Sequence, residues 1–414
     1  MNTITLSDKT RHYLDIEENF GAHNYHPLPV VLNRGQGVFV WDVDDKRYFD
    51  FLSGYSAINH GHCHPAIVAS LVEQAQKLTL VSRAFHSELL AEYSQFITRL
   101  FGYDKVLPMN TGVEAVETAI KLARRWGYDV KGIAENKAKI IVCADNFHGR
   151  TSTVISFSTD GSAYSRFGPY MPGFVIIPYN NLDALAEALQ DKDVAGFLLE
   201  PIQGEAGVVV PDTGYLKKAK QYCEDAKILF VADEIQTGLC RTGKMLACDH
   251  ENVRPDILIL GKALSGGMLP VSAVLADDDV MLTIKPGEHG STYGGNPLGC
   301  HIAITSLKVL QEEKMSENAA VMGELLRDQL RRLESPLIKE IRGKGLLNAI
   351  VIDHPNKDAA WELCLAMKDN GLLAKPTHGD KIRFAPPLII TRDQVLESVD
   401  IIEKSLKRIM DYEL

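Results

Sequence analysis

An aspartate and a lysine, each placed at the end of a short apolar run, carry most of the chemistry legible in this chain. Phe230-Val-Ala-Asp233 ends in a carboxylate, and Asp256-Ile-Leu-Ile-Leu-Gly-Lys262 delivers an amine just beyond its run. Aliphatic, β-branched runs of this kind read as strands of a parallel sheet covered on both faces. Such sheets bind their ligands in the crevice outside the carboxyl ends of the strands. An amine and a carboxylate brought to one crevice meet the two demands of pyridoxal phosphate. The amine forms a Schiff base with its aldehyde, and the carboxylate pairs with its pyridinium nitrogen. An opposite charge moves a pKa by about 1–3 units, so Asp233 is expected to hold that nitrogen protonated by roughly 1.5–4 kcal/mol. Taken singly, each residue has an ordinary reading, the lysine as a solvated surface residue and the aspartate as a turn or cap.

A third segment separates the two readings. Lys105-Val-Leu-Pro-Met109 reads as a strand that turns through Asn110-Thr111-Gly112 into a helix over 115–126, with Val116, Ala119, Ile120 and Ala123 on one face. Free N–H groups and the helix dipole at such a start make a phosphate seat, and Gly112 permits close backbone approach. Asn or Thr as a plain N-cap would explain the same residues taken alone. A phosphate seat, a strand-end Asp and a strand-end Lys in this order are harder to explain that way.

The surrounding elements must supply those positions. The chain has 414 residues, 45% of them hydrophobic, enough for one large domain and a smaller one. After an N-terminal arm, residues 37–50 read as two short strands around a turn at Asp44-Asp45. From about residue 60 to 295, helices alternate with apolar strands at Ile140–Val142, Val175–Ile177, Gly196–Leu199, Leu229–Ala232, Ile257–Leu260 and Val271–Leu275. That alternation predicts an α/β layered sheet. Beyond Asn296-Pro297 the pattern changes to long helices, a strand near Leu347–Ile352, and a last helix opened by the capping box Thr391-Arg-Asp-Gln394. Val395, Val399, Ile402, Leu406 and Ile409 form its apolar stripe. The expected division is 1–59 for the arm and small-domain strands, 60–295 for the large domain, and 296–414 for a C-terminal small domain.

Composition excludes several partners. Forty-four basic against 54 acidic residues give a net charge of −10, which is no nucleic-acid footprint. No apolar stretch nears the roughly 20 residues that span a bilayer. The first residues lack an apolar signal core, and Asp8, Asp15, Glu17 and Glu18 argue against an organellar transit peptide. Seven cysteines without metal-like pairing suit a reducing compartment, so the expected location is cytoplasmic.

Together these residues resemble the class III (ω-amino acid) aminotransferases, pyridoxal-phosphate enzymes of fold type I. The resemblance runs from about Gly21 to Lys404 and sharpens to the branch acting on ornithine. It is carried by Gly21-Ala-His-Asn-Tyr-His-Pro-Leu-Pro29, Phe147-His-Gly-Arg-Thr151, Glu200-Pro-Ile-Gln-Gly-Glu-Ala-Gly207, Lys285-Pro-Gly-Glu-His-Gly-Ser-Thr-Tyr-Gly-Gly-Asn-Pro297 and Thr377-His-Gly-Asp-Lys-Ile-Arg383. It implies a large domain with a mostly parallel sheet between helices, plus a smaller α+β domain. By resemblance, Lys262 carries the cofactor and then moves the substrate proton, and Asp233 pairs with the pyridinium. Gln236 reaches the phenolic oxygen, Gly112 and Val113 offer N–H groups to the phosphate, and Phe147 stacks on the ring. Thr292 is expected to reach the phosphate from a partner subunit, which makes the site a property of a homodimer.

The resemblance also implies how substrate is chosen. Tyr25 and Arg150 would hold the α-carboxylate of ornithine away from the chemistry, with Tyr55 lining the same pocket. Arg383 would attract that carboxylate to the wrong end unless Glu205 masked it. 2-Oxoglutarate would then bind an unmasked Arg383 and Arg150. The products would be glutamate and glutamate 5-semialdehyde, which cyclises to pyrroline-5-carboxylate and links arginine to proline metabolism. Position 148 departs from the tryptophan expected in close animal relatives, and Phe147-His148-Gly149-Arg150 is also how many acetylornithine-type members read. An acetylornithine or other ω-amino acid aminotransferase, an aminomutase of the glutamate-1-semialdehyde type, and a non-catalytic binding protein are the competing readings.

Some motifs point elsewhere. His60-Gly-His62-Cys63-His64 has metal-like composition, yet Pro65 follows at once and fits a helix first turn, so no metal is expected. Cys240 and Cys248 read as reduced thiols, and Gly266-Gly267 and Gly294-Gly295 as tight turns.

Overall fold

The computed structural model describes residues 6–411. A seven-stranded sheet runs through its centre in the order Lys105–Met109, Ser272–Ala276, Ile257–Leu260, Leu229–Asp233, Val194–Leu199, Lys139–Cys143, Phe174–Ile177. The last five in that order pair parallel. Ser272–Ala276 runs antiparallel to both of its neighbours. The reason lies in the connection 261–271, which holds a single 3₁₀ turn at Lys262–Ser265. A parallel return needs a crossover of about a dozen residues or more, usually a helix. Each predicted strand falls on an observed one, with Val271 just outside.

Burial explains why these runs are apolar throughout. Every residue of Val194–Leu199, Leu229–Asp233, Ile257–Leu260 and Ser272–Ala276 is buried. Alternate side chains serve opposite layers. Val231, Ile257 and Ile259 pack with Val116, Ala119 and Ile120 of the helix Gly112–Asp129. Phe230 and Ala232 pack instead with Tyr215, Leu216 and Ala219 of the helix Tyr215–Asp225.

Two four-stranded sheets flank this core. One contains Leu32–Gln36, Phe39–Asp42 and Arg47–Asp50 and is completed by Leu372–Leu373, parallel to Arg47–Asp50. The other holds Ile338–Lys344, Leu347–Ile352, Lys381–Phe384 and Lys375–Thr377. The N-terminal strands thus share a sheet with the C-terminal segment. In the last helix, Arg392–Asp411, Thr391 and Gln394 exchange the two capping bonds at 2.9 and 3.3 Å. Val395, Val399, Ile402 and Leu406 of its stripe are buried. Among the described residues, no helix is long and apolar enough to cross a membrane.

Arg241 stitches the three parts together. Its side chain is wholly buried, donating to the carbonyls of Leu346 at 3.0 Å and Pro386 at 2.6 Å and to Asn59 Oδ1 at 3.2 Å. Among the described residues no carboxylate lies within ion-pair distance, and burial pushes the guanidinium down to about 9. Three segments distant in sequence therefore satisfy one side chain. Arg241→Met leaves those oxygens buried and unpaired, and is expected to cost roughly 2–5 kcal/mol. Urea denaturation checks this, and a loss under 1 kcal/mol contradicts the stitching role.

Candidate active site

The carboxyl ends of neighbouring strands converge on a cavity of about 190 Å³ lined by Gly112, Val113, Phe147, His148, Gly149, Glu200, Glu205, Asp233, Ile235, Gln236 and Lys262. Asp233 ends its strand and is 4% exposed. Its Oδ1 accepts from the Ile235 N–H at 3.1 Å, and its Oδ2 lies 2.7 Å from His148 Nδ1. Burial pulls the imidazole down, yet the hydrogen bond and charge of Asp233 outweigh it, so His148 lies above its usual range. Glu200 ends the adjacent strand and accepts from the Phe147 N–H at 2.8 Å. Burial pushes its carboxyl up to about 7.

Lys262 opens the 3₁₀ turn with φ of 44°, a left-handed conformation that costs a non-glycine residue about 1–2 kcal/mol. Gly261 before it packs on Ile235, and Gly266 closes the turn, also left-handed. The amine makes no hydrogen bond or ion pair among the described residues. Burial lowers its pKa, while Glu205 and Asp233 pull the other way. An unengaged amine whose pKa is lowered by burial is better suited to act as nucleophile and base than a solvated lysine.

The helix start behaves as a seat rather than only a cap. Thr111 is the N-cap and Glu114 completes a capping box, Oε2 accepting from the Asn110 N–H at 2.9 Å and the Thr111 N–H at 3.2 Å. Both capping groups are thereby spent. Among the described residues nothing accepts from the N–H of Gly112 or Val113, and both face the cavity. A Cβ at Gly112 would come within 3.1 Å of Ile235, and one at Gly149 within 2.3 Å of Val113. The two glycines keep this corner narrow and open to an anion.

A second group of side chains borders the amine. Arg383, 4% exposed, donates from Nη1 to Glu205 Oε1 at 2.6 Å. Burial raises the Glu205 carboxyl, but Arg383 and Lys262 outweigh it and hold it below the usual range. Gln236 donates to the same Oε1 at 3.2 Å. Tyr55 places its ring 5.0 Å from the Arg383 guanidinium. It sits in a run of four left-handed residues, Ser53 to Ser56, braced by Asp50 Oδ1, which accepts from the N–H of Leu52 and Ser53. His62 bonds the other oxygen of Asp50 at 2.7 Å, so its role is structural. His60 and His64 bond Ser306 and Glu313 instead, and the three imidazoles do not converge.

Five expected residues do not line the cavity: Arg383 and Tyr55, which border it, and Arg150, Tyr25 and Thr292. Arg150 is exposed and paired with no carboxylate within 4 Å among the described residues, its guanidinium 5.4 Å from the Phe147 ring. Tyr25 is 71% exposed and within electrostatic reach of Tyr55. Thr292 lies exposed on the loop before the helix Pro297–Glu312, next to Ser291, whose hydroxyl accepts from Asn110 Nδ2 at 2.8 Å. His148, Glu200 and Ile235 were not singled out as site residues from the sequence. Glu200 carries the same signal as Asp233, an acid at the end of an apolar run, but the contact between His148 and Asp233 spans 85 positions and has no sequence signature.

The cavity fits pyridoxal phosphate. It offers an unengaged amine, a buried carboxylate, two free N–H groups at a helix start, and Gln236 Oε1, which is buried and unpaired. Lys262 and Asp233 would hold the aldehyde and ring-nitrogen ends, Gly112 and Val113 the phosphate, and Phe147 and Gln236 the ring between.

Comparison with known proteins agrees. The family model for class-III aminotransferases matches residues 20–406. The mitochondrial ornithine aminotransferase of Rattus norvegicus is 63% identical over 390 residues, 94% of this chain and 89% of that protein. The ornithine aminotransferase of Toxoplasma gondii, solved with partial occupancy of pyridoxal phosphate at its active site, aligns with a TM-score of 0.95 at 48% identity, covering 97% of this chain and 95% of that one. The acetylornithine aminotransferase of Elizabethkingia anophelis aligns at 0.89 with 58% identity, covering 96% and 99%.

The raised Glu200 carboxyl has a pH consequence. In the unfolded chain it ionises near 4.5, in the fold near 7, so its contribution to stability is complete below 4.5 and lost as pH rises towards 7. Glu200→Gln is expected to remove a fall of roughly 3 kcal/mol over that window. Denaturation at pH 4.5 and 7.5 measures it, and equal pH slopes for wild type and variant contradict it.

Proposed function

The chain belongs to the class-III aminotransferase family, and we propose that it transfers the δ-amine of L-ornithine to 2-oxoglutarate. The observation that carries this reading is the 2.6 Å bond between Glu205 and Arg383 beside Lys262, with Arg150 left unpaired. A masked Arg383 offers no seat for a carboxylate next to the reacting amine. An open Arg150 takes the α-carboxylate at the far end, bidentately, with Tyr25 and Tyr55 walling the pocket. The distal amine is then the one that lies at the Lys262 end of the cavity.

Bound pyridoxal phosphate supplies the carbonyl that takes the amine and a ring that withdraws electrons from the reacting carbon. Asp233, held in place by His148 and the Ile235 N–H, keeps the ring nitrogen protonated. Lys262, its pKa lowered by burial, would serve as the base that takes the proton from the δ-carbon of the bound donor. For the oxo acid, Glu205 must leave Arg383. Breaking a buried pair of this kind costs roughly 2–5 kcal/mol, which the incoming carboxylate offsets. The products are glutamate and glutamate 5-semialdehyde, which cyclises to pyrroline-5-carboxylate and connects arginine with proline metabolism.

The active unit in this reading is a homodimer, supported by the exposed position of Thr292, which then completes the phosphate seat of the neighbouring subunit. The strand pairing of residues 47–50 with 372–373 supports one small domain built from the described parts of 1–59 and 296–414, beside a large domain at 60–295. We place the protein in the cytoplasm on its seven free cysteines, although the rat relative is named mitochondrial. Acetylornithine is the second reading, favoured by the Elizabethkingia anophelis structure.

A donor panel on the holoenzyme tests the substrate. Ornithine is expected to turn over faster than N-acetylornithine or 4-aminobutyrate, with pyrroline-5-carboxylate as product. Equal or faster turnover of either competitor refutes the assignment. Borohydride reduction followed by peptide mapping is expected to tag Lys262.

A further inference from the structure

The contacts around Glu205 point to a second function for Gln236. Glu205 Oε1 accepts two bonds, from Arg383 Nη1 at 2.6 Å and from Gln236 Nε2 at 3.2 Å. Arg383 uses only part of its fork, since its Nε is buried without a partner. A single guanidinium contact lets a carboxylate swing, because it lacks the geometry of a two-point clamp. Gln236 supplies the second point. It comes from the turn after Asp233, a different element from the strand Lys381–Phe384 that carries Arg383. Its other acceptor, the Tyr55 carbonyl, is at 3.4 Å and weak.

Space is also reserved for the Gln236 amide. A Cβ on Gly204, next to Glu205, would stand 1.5 Å from Gln236 Oε1 and 2.6 Å from its Cδ. Gly204 is not in the left-handed region, so what requires a glycine here is the amide head and not the backbone.

We infer that Gln236 is the positioning residue that keeps Glu205 closed over Arg383, and that it thereby sets which amine of a diamino acid reacts. This rests on the ornithine reading for its substrate but not for its geometry. With Gln236 in place, a donor carboxylate finds Arg383 masked and is sent to Arg150. Admission of a dicarboxylate must break both bonds to Oε1, so the amide sets part of the cost of opening.

The test compares wild-type holoenzyme with Gln236→Met, which removes the second bond to Glu205 without adding charge, and Gly204→Ala, which displaces the amide without removing it. Two quantities are read: the ratio of α-oxo acid to semialdehyde formed from ornithine, and the calorimetric Kd of glutarate, an unreactive dicarboxylate. Both variants are expected to raise the α-product share and tighten glutarate binding by about tenfold, the scale of one buried hydrogen bond to a charged group. In a Glu205→Ala background, where the mask is gone, Gln236→Met should add nothing. Unchanged product ratio and glutarate Kd in both single variants overturn the inference, as does an undiminished effect in the Glu205→Ala background. If wild type forms no semialdehyde, the ornithine reading fails while the glutarate measurement still decides the role of Gln236.

Discussion

Asp233, Glu200, Glu205, Lys262 and Arg383 line or border one small cavity, and most of them are buried. A lone charge taken out of water is costly, so each of these groups must be answered by another or become neutral. The outcomes differ by neighbour. Asp233 is answered by His148, and Glu205 by Arg383 and Gln236. Glu200, left with backbone N–H groups, takes a proton up to about pH 7. Lys262 has no partner, and its pKa falls. The amine is left without a partner, as the proposed reaction requires of it.

The architecture follows from the need to hold that arrangement. A parallel sheet sends its strand ends to one edge, and the return of Ser272–Ala276 in the antiparallel sense brings Lys262 back over it within a single turn. Strain is concentrated in the same place. Lys262 and the Ser53–Ser56 run adopt left-handed conformations that only a well-packed surround maintains. Arg241 helps supply that surround by joining Asn59, Leu346 and Pro386, two of which lie close to Tyr55 and Arg383 in sequence.

Specificity has a different physical origin from catalysis here. The amine and the Asp233 pair would serve many amino donors. In the proposed reading, what selects among them is a salt bridge of one guanidinium nitrogen on one carboxylate oxygen, with an amide bracing it. A bidentate pair at that position would be stronger and more fixed in geometry.

Local features were legible from the chain itself. Each predicted strand lies on an observed one, the helix after Gly112 starts where its cap residues indicate, and the final helix follows its own capping box, because period and capping act over a few residues. Asp233 and Lys262 could be named because an end-of-strand position places a side chain in the crevice whatever the rest of the fold does. The partnership of His148 with Asp233, the shared Glu205 oxygen, and the space Gly204 leaves for Gln236 belong to the tertiary structure. They join residues tens to hundreds of positions apart, and no local pattern encodes which buried charges will meet. The protonation of Glu200 was decided there too, since a carboxyl takes its pKa from the packing around it and not from its neighbours in the chain.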